Sequence, residues 1–296
     1  MSGETNASSG ASAMPRALRV VLVGVCYLVF GGFGAVLAYV LLPLQLLRVR
    51  GEAARVVAAQ SLLHRWSRRY LRFMQALRVA RPDYPPLPEV LTRPGAVVVV
   101  ANHPSLLDVV FMMAALPRIT YVAKQSWIDS PLVGRLLRTC GHIAAPRGKT
   151  PADGAIALER MIGALQADRA LLVFPEGTRS PRHGLLAFQR GAFEAAVRAG
   201  VPLVPCVLDV DPPMLRKDQP WYDVADRTIR YRMRVLPTRL PTEGANGRQL
   251  CASVREAIAA ALGVPGEPAA QPGASAQPGP AAQPGANAQP GANAQP

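Results

Sequence analysis

No charged residue falls between Val20 and Leu44, and nearly every side chain in that run is apolar. As a helix it is long enough to cross about 30 Å of hydrocarbon. A cleaved signal peptide has a shorter apolar region, about 7 to 15 residues, closed by a small-residue cleavage site. The pattern therefore predicts a mobile Ser/Gly/Ala-rich leader over 1–17 and a retained transmembrane anchor over 18–47. Gly31, Gly32 and Gly34 fit either close helix packing or a break into a re-entrant hairpin. Arginines are denser after the run (Arg48, Arg50, Arg55) than before it (Arg16, Arg19), which puts the downstream chain on the cytoplasmic side of the membrane.

Beyond the anchor, Leu62, Leu63, Trp66, Tyr70, Phe73, Met74 and Leu77 recur at helical spacing, with Arg65, Arg68, Arg69 and Arg72 between them. This predicts an amphipathic helix over 51–80. It fits the headgroup layer, arginines on lipid phosphates, and equally a surface helix packed on its own domain. Arg81 to Pro94 is proline-rich and reads as a linker. Short β-branched runs then alternate with helical patterns: Ala96 to Ala101, Ile119 to Ala123, His142 to Ala145, Leu171 to Phe174 and Leu203 to Leu208. Such alternation predicts an α/β domain with a largely parallel sheet over 81–263. Thr228 to Leu236 alternates apolar and basic residues, as a late half-exposed strand does, and a last helix is expected over Gly247 to Leu262. From Gln271 the triplet Gln-Pro-Gly returns every six residues without charge, so 264–296 is expected to stay extended and disordered.

Composition narrows the partners. Half of the 296 residues are hydrophobic and the net charge is +14, a balance that suits nucleic acid, an anionic membrane surface or an acidic substrate. The apolar run selects membrane lipids, and no nucleic-acid partner is expected. Cys26, Cys140, Cys206 and Cys251 lack Cys-x-x-Cys spacing and read as buried or lipid-facing thiols in a reducing compartment. His64, His142 and His183 lack metal-ligand spacing, so no metal is expected. His142 reads as structural.

Two segments carry chemistry, each directly after a buried strand. In NHPSLLD (Asn102 to Asp108) Pro104 suits the first position of a helix, with His103 just outside it. On one continuous helix the His103 and Asp108 side chains would point about 140° apart; from the loop, the ring can fold back onto the carboxylate. Asp108 would then fix the imidazole tautomer and stabilise the imidazolium. In FPEGTRS (Phe174 to Ser180) Pro175 and Gly177 shape a turn, and Glu176, Thr178 and Arg179 are expected to project into the crevice where α/β sheets bind ligands. No Gly-x-Ser-x-Gly elbow marks Ser105 as a nucleophile, and no phosphate-cradling Gly-x-x-x-x-Gly-Lys loop occurs.

Together these segments resemble the glycerolipid acyltransferase family, in particular the bacterial 1-acyl-glycerol-3-phosphate acyltransferases, whose first block is N-H-x-x-x-x-D and third F-P-E-G-T-R-S. FQRG (Phe188 to Gly191) and VPLVPCVL (Val201 to Leu208) resemble later family blocks. The second block departs: GHIAAPR (Gly141 to Arg147) keeps the arginine of G-x-x-F-I-D-R and puts Pro146 where the acid stands. The resemblance implies a membrane-bound acyltransferase that needs no cofactor, takes its acyl group from acyl-CoA or acyl carrier protein, and acylates a lysophospholipid. His103 and Asp108 would be catalytic, and Arg147, Glu176, Gly177, Thr178 and Arg179 substrate-binding. The altered second block keeps lyso-ornithine lipid open as acceptor. A silent lipid-binding or scaffolding protein is the rival of another class, and intact His103, Asp108 and Glu176 weigh against it.

Overall fold

The computed structural model describes residues 14–145, 150–242 and 244–266. Most of the expected leader, Arg147 and nearly all of the repeat tail lie outside them. The first apolar run forms one helical rod, Arg16 to Leu46, made of α1 (Arg16–Val36), a π turn (Leu37–Leu41) and α2 (Leu42–Leu46). Pro43 accounts for the π turn, because its ring lacks an N–H and crowds the carbonyl four residues back, and one wider turn relieves both. No hairpin forms at the glycines. Gly34 instead lets Val133 approach, where a Cβ would meet its Cγ1 at 3.1 Å.

The rod lies lengthwise on the domain. Val23 and Cys26 join the main core, and Leu37, Ala38 and Leu42 pack with Ala59, Leu62 and Cys140. The amphipathic helix, α3 (Glu52–Ala76), faces it: Tyr70 Oη donates to the Cys26 carbonyl at 3.1 Å, and the Phe33 and Trp66 rings lie 4.1 Å apart. Thus the apolar face of α3 belongs to protein packing, while Arg65, Arg68, Arg69 and Arg72 stay exposed. The helix stops short of residue 80 because Ala80 begins a strand.

That strand, β1 (Ala80–Asp83), corrects the linker reading. It pairs with β7 (Ile229–Val235) in parallel, and Pro82 is tolerated because β1 is an edge. A short helix, α4 (Glu89–Thr92), follows. Then come β2 (Val98–Ala101), α5 (Asp108–Ala115), β3 (Thr120–Lys124), α6 (Gln125–Ile128), α7 (Gly134–Thr139), β4 (Ile143–Ala145), α8 (Pro151–Gln166), β5 (Leu171–Val173), α9 (Gly191–Ala199), β6 (Leu203–Asp211), β7 and α10 (Gly247–Leu262). The sheet order is β1-β7-β6-β2-β5-β3-β4. Of its pairings only β6 with β7 is antiparallel, so the α/β, largely parallel expectation holds.

Helices cover both faces, which is why β2 is buried throughout. Val99 and Ala101 point to the face of α3 and α5, Val98 and Val100 to that of α9 and α10. Burying each valine is worth about 1.5–3 kcal/mol. The strand is thereby pinned from two sides, and the loop at its carboxyl end inherits a fixed origin.

Candidate active site

β2 and β5 are neighbours and run parallel, so the segments that follow them emerge side by side at one edge of the sheet. Asn102 closes the end of β2: its Nδ2 donates to the Leu208 carbonyl at 2.9 Å, and its Oδ1 accepts the Leu208 N–H at 2.8 Å. The side chain thus continues the β2–β6 pairing by one step and fixes where His103 leaves the sheet.

His103 does not precede a helix that starts at Pro104, as the sequence suggested. The helix, α5, starts at Asp108. Ser105 Oγ accepts the Leu107 N–H at 3.3 Å, and Asp108 Oδ2 accepts the Ser105 N–H at 2.8 Å. These side-chain bonds hold 103–107 as a turn in competition with helix. The turn still brings the pair together, with His103 Nδ1 lying 2.7 Å from Asp108 Oδ2. Asp108 is wholly buried, while 15% of the His103 side chain is exposed. A carboxylate at Nδ1 holds the ring proton on that nitrogen, which donates to it, and leaves the Nε2 lone pair free to accept another. The imidazole also stacks on Phe174, 4.3 Å between centroids and 18° between planes. One ring face is thereby covered. Asp108 Oδ1 accepts a 2.6 Å bond from Tyr231 Oη on β7.

Glu176 and Arg179 turn onto the protein itself, which corrects the expectation that both project into the crevice. Glu176 is buried. Its Oε1 accepts from Ser180 Oγ at 2.5 Å and from the His103 N–H at 3.3 Å, and its Oε2 accepts the Leu186 N–H at 2.9 Å. The His103 N–H also reaches Ser180 Oγ at 3.1 Å. A carboxylate removed from water needs such donors, and the backbone of the histidine is one of them. Burial pushes the Glu176 carboxyl up from its ordinary value, against the lowering effect of its bonds to Ser180, Leu186 and His103.

The Arg179 guanidinium donates to the carbonyls of Leu215 at 2.8 Å and Arg216 at 2.9 Å. It pins the segment after β6, whose Leu215 carbonyl also accepts the Leu106 N–H at 3.1 Å. Gly177 has φ +68°, a left-handed backbone that glycine adopts without strain, and this is what the turn requires of it. Thr178 is half-buried beside it. Arg147 lies outside the described residues.

The remaining chemistry-bearing groups sit elsewhere. His142 is buried and its Nδ1 accepts the Tyr121 N–H at 3.1 Å; burial lowers its pKa to about 3, which keeps it neutral. All four cysteines are buried and free. Among the described residues no group of three or more His, Cys, Asp and Glu could hold a metal ion. A cavity of about 510 Å³ opens against Val97, Ile119 and Ala170, just before β2, β3 and β5, at the opposite end of the sheet from His103.

Sequence reasoning gave no role to Asn102, Phe174, Ser180 or Tyr231. Tyr231 alone left a signal: it occupies an inward position in the alternating strand, where a phenol needs a buried acceptor.

Residues 87–209 match the family profile described as Acyltransferase, which contains both segments of the site. The chain is 32% identical over 222 residues to the Bos taurus 1-acyl-sn-glycerol-3-phosphate acyltransferase alpha, covering 73% of this chain and 70% of that one. It is 38% identical over 117 residues to the Escherichia coli 1-acyl-sn-glycerol-3-phosphate acyltransferase, covering 38% and 47%. The crystal structure of the Thermotoga maritima 1-acyl-sn-glycerophosphate acyltransferase shares the fold, with TM-score 0.68 and 20% identity over 84% of this chain and 97% of that one.

Proposed function

The chain belongs to the glycerolipid acyltransferase family, and on that premise we propose that it carries a fatty acyl group from acyl-CoA or acyl carrier protein to the free hydroxyl of 1-acyl-sn-glycerol-3-phosphate, giving phosphatidic acid. The observation that carries the chemistry is the His103–Asp108 contact at the carboxyl end of β2. His103 Nε2 takes the acceptor's hydroxyl proton as that oxygen attacks the thioester carbonyl carbon. The C–S bond then breaks, and the departing thiolate recovers the proton from the imidazolium, so no acyl-enzyme forms. Asp108 stays ionised and balances the transient positive charge. Ser105, wholly buried under the turn, is no nucleophile in this scheme.

Arg147 is the proposed headgroup ligand, because a planar guanidinium matches a phosphate bidentately. Glu176, Gly177, Thr178 and Arg179 shape the acceptor site. Glu176 does so through the His103 backbone, and Arg179 through the segment carrying Arg216 and Lys217. The outward face of the Arg16 to Leu46 rod, with Val21, Leu28, Val36, Val40 and Leu44 exposed, attaches the protein to a cell inner membrane, the catalytic domain being cytoplasmic. Lyso-ornithine lipid is the second reading, favoured by Pro146 in place of the acid of the second block.

The test is product analysis by lipid mass spectrometry after incubating purified protein with a panel of lyso-lipids and each donor. Phosphatidic acid from lysophosphatidic acid is expected. A product formed only from lyso-ornithine lipid would overturn the acceptor assignment.

A further inference from the structure

The Asp108 carboxylate is wholly buried, and its bonds come from two separate parts of the chain, the histidine turn and β7. Oδ2 accepts from His103 Nδ1 at 2.7 Å and from the Ser105 N–H at 2.8 Å, while among the described residues Oδ1 accepts the Tyr231 hydroxyl alone, at 2.6 Å. Tyr231 is itself buried, 4.8 Å from the Phe111 ring of α5. Phe111 lies one turn along the helix that Asp108 begins, so the ring and the carboxylate are held in one packed unit. We infer that Tyr231 is a positioning residue of the proposed base, its hydroxyl holding Asp108 in the orientation and charge state that keep His103 Nδ1 bound and Nε2 free. This deepens the proposed function and rests on it.

Among the described residues, the charged and titratable groups around the contact are few. Asp108 faces Tyr231 from α5, with Ser105 from the histidine turn; Tyr84 lies behind, its own hydroxyl donated to the Phe111 carbonyl at 3.0 Å. Glu176 meets the pair only through the His103 backbone. Burial, with Asp108 next, raises the Tyr231 phenol well above its ordinary value, so it remains a donor whenever the enzyme works.

With neutral imidazole the His103–Asp108 pair carries one negative charge, and protonation cancels it. A donor on the carboxylate stabilises the anionic state more than the cancelled one, so it lowers the pKa of the pair. Losing the donor raises that pKa, and the acid limb of the rate profile moves to higher pH. Asp108 is charged in both states, so only the difference in the bond's strength between them enters, a shift of a few tenths of a pH unit, or roughly half a unit at most.

The experiment uses the full chain in detergent micelles, with Tyr231→Phe, and Tyr84→Phe as a control that deletes a buried hydroxyl bonded elsewhere. Turnover is followed against pH, and the His103 imidazole is titrated by NMR, its signal assigned through His103→Ala. For Tyr231→Phe we expect the acid limb of kcat and the imidazole titration to move up together by a few tenths of a pH unit. Donor and acceptor KM stay within roughly twofold, the signature of an effect on the chemical step. Tyr84→Phe leaves both titrations in place. If Tyr231→Phe does not fold, 3-fluorotyrosine at position 231, a stronger donor of nearly the same size, should shift both titrations to lower pH.

An unshifted imidazole titration in a folded Tyr231→Phe variant overturns the inference. So does an equal shift in Tyr84→Phe. Near-normal turnover by His103→Ala would instead bring down the base itself, leaving the imidazole titration to decide the Tyr231 contact alone.

Discussion

Glu176 sits beneath the backbone of the residue proposed to do the chemistry, and its carboxylate is filled by Ser180, Leu186 and His103. Gln in its place offers one acceptor oxygen instead of two and confronts an N–H with an amide, a mismatch worth about 1–3 kcal/mol. Glu176→Gln should therefore lower stability in denaturant titrations and lower kcat through a loosened His103. Because burial raises the folded-state pKa of Glu176, its protonated form stabilises the fold fully below the unfolded value. That contribution is lost as pH rises through the folded pKa. The stability gap between wild type and Glu176→Gln should accordingly be widest in acid and narrow toward neutrality; a gap that widens with pH would mean that the bonds to the carboxylate outweigh its burial. At this scale the His103–Asp108 pair was legible because both partners lie in one short segment. Asn102 and Tyr231 were not, since Leu208 and Asp108, their partners, reach them only through the sheet.

Among the elements, the rod from Arg16 to Leu46 divides its apolar surface. One side packs on α3 and the core, while Leu28 (77% exposed) and Leu44 (59%) point away and contribute little to the fold. Leu28→Glu with Leu44→Glu should weaken co-sedimentation with lipid vesicles while circular dichroism and thermal midpoint stay near those of wild type. Undiminished vesicle binding would remove this face as the membrane contact. The rod, the six strands with β-branched or alternating runs and the last helix could be read from hydrophobic pattern, because burial on one or both faces writes that pattern directly. β1 could not: Ala-Arg-Pro-Asp has no alternation, and its pairing depends on β7 being in place. The start of α5 was misread because Ser105 and Asp108 bond the backbone locally and turn the chain where Pro104 alone would have admitted helix.

Across the whole molecule, the parallel pairing of β2 with β5 brings NHPSLLD and FPEGTRS together, and the reversed β7 supplies Tyr231 from the other side of β6. One proton acceptor, His103 Nε2, is thus assembled from three stretches of chain. The measurement that tests this account most directly is acyl transfer to lysophosphatidic acid by purified His103→Ala, Asp108→Asn and Ser105→Ala variants beside the wild type. His103→Ala should lose about 10² to 10⁴ in turnover while remaining folded, the usual cost of removing a general base. Asp108→Asn should also lose turnover, with substrate KM little changed, and Ser105→Ala should keep most of its activity. A dead Ser105→Ala beside a His103→Ala of near-normal turnover would contradict direct transfer by a histidine base.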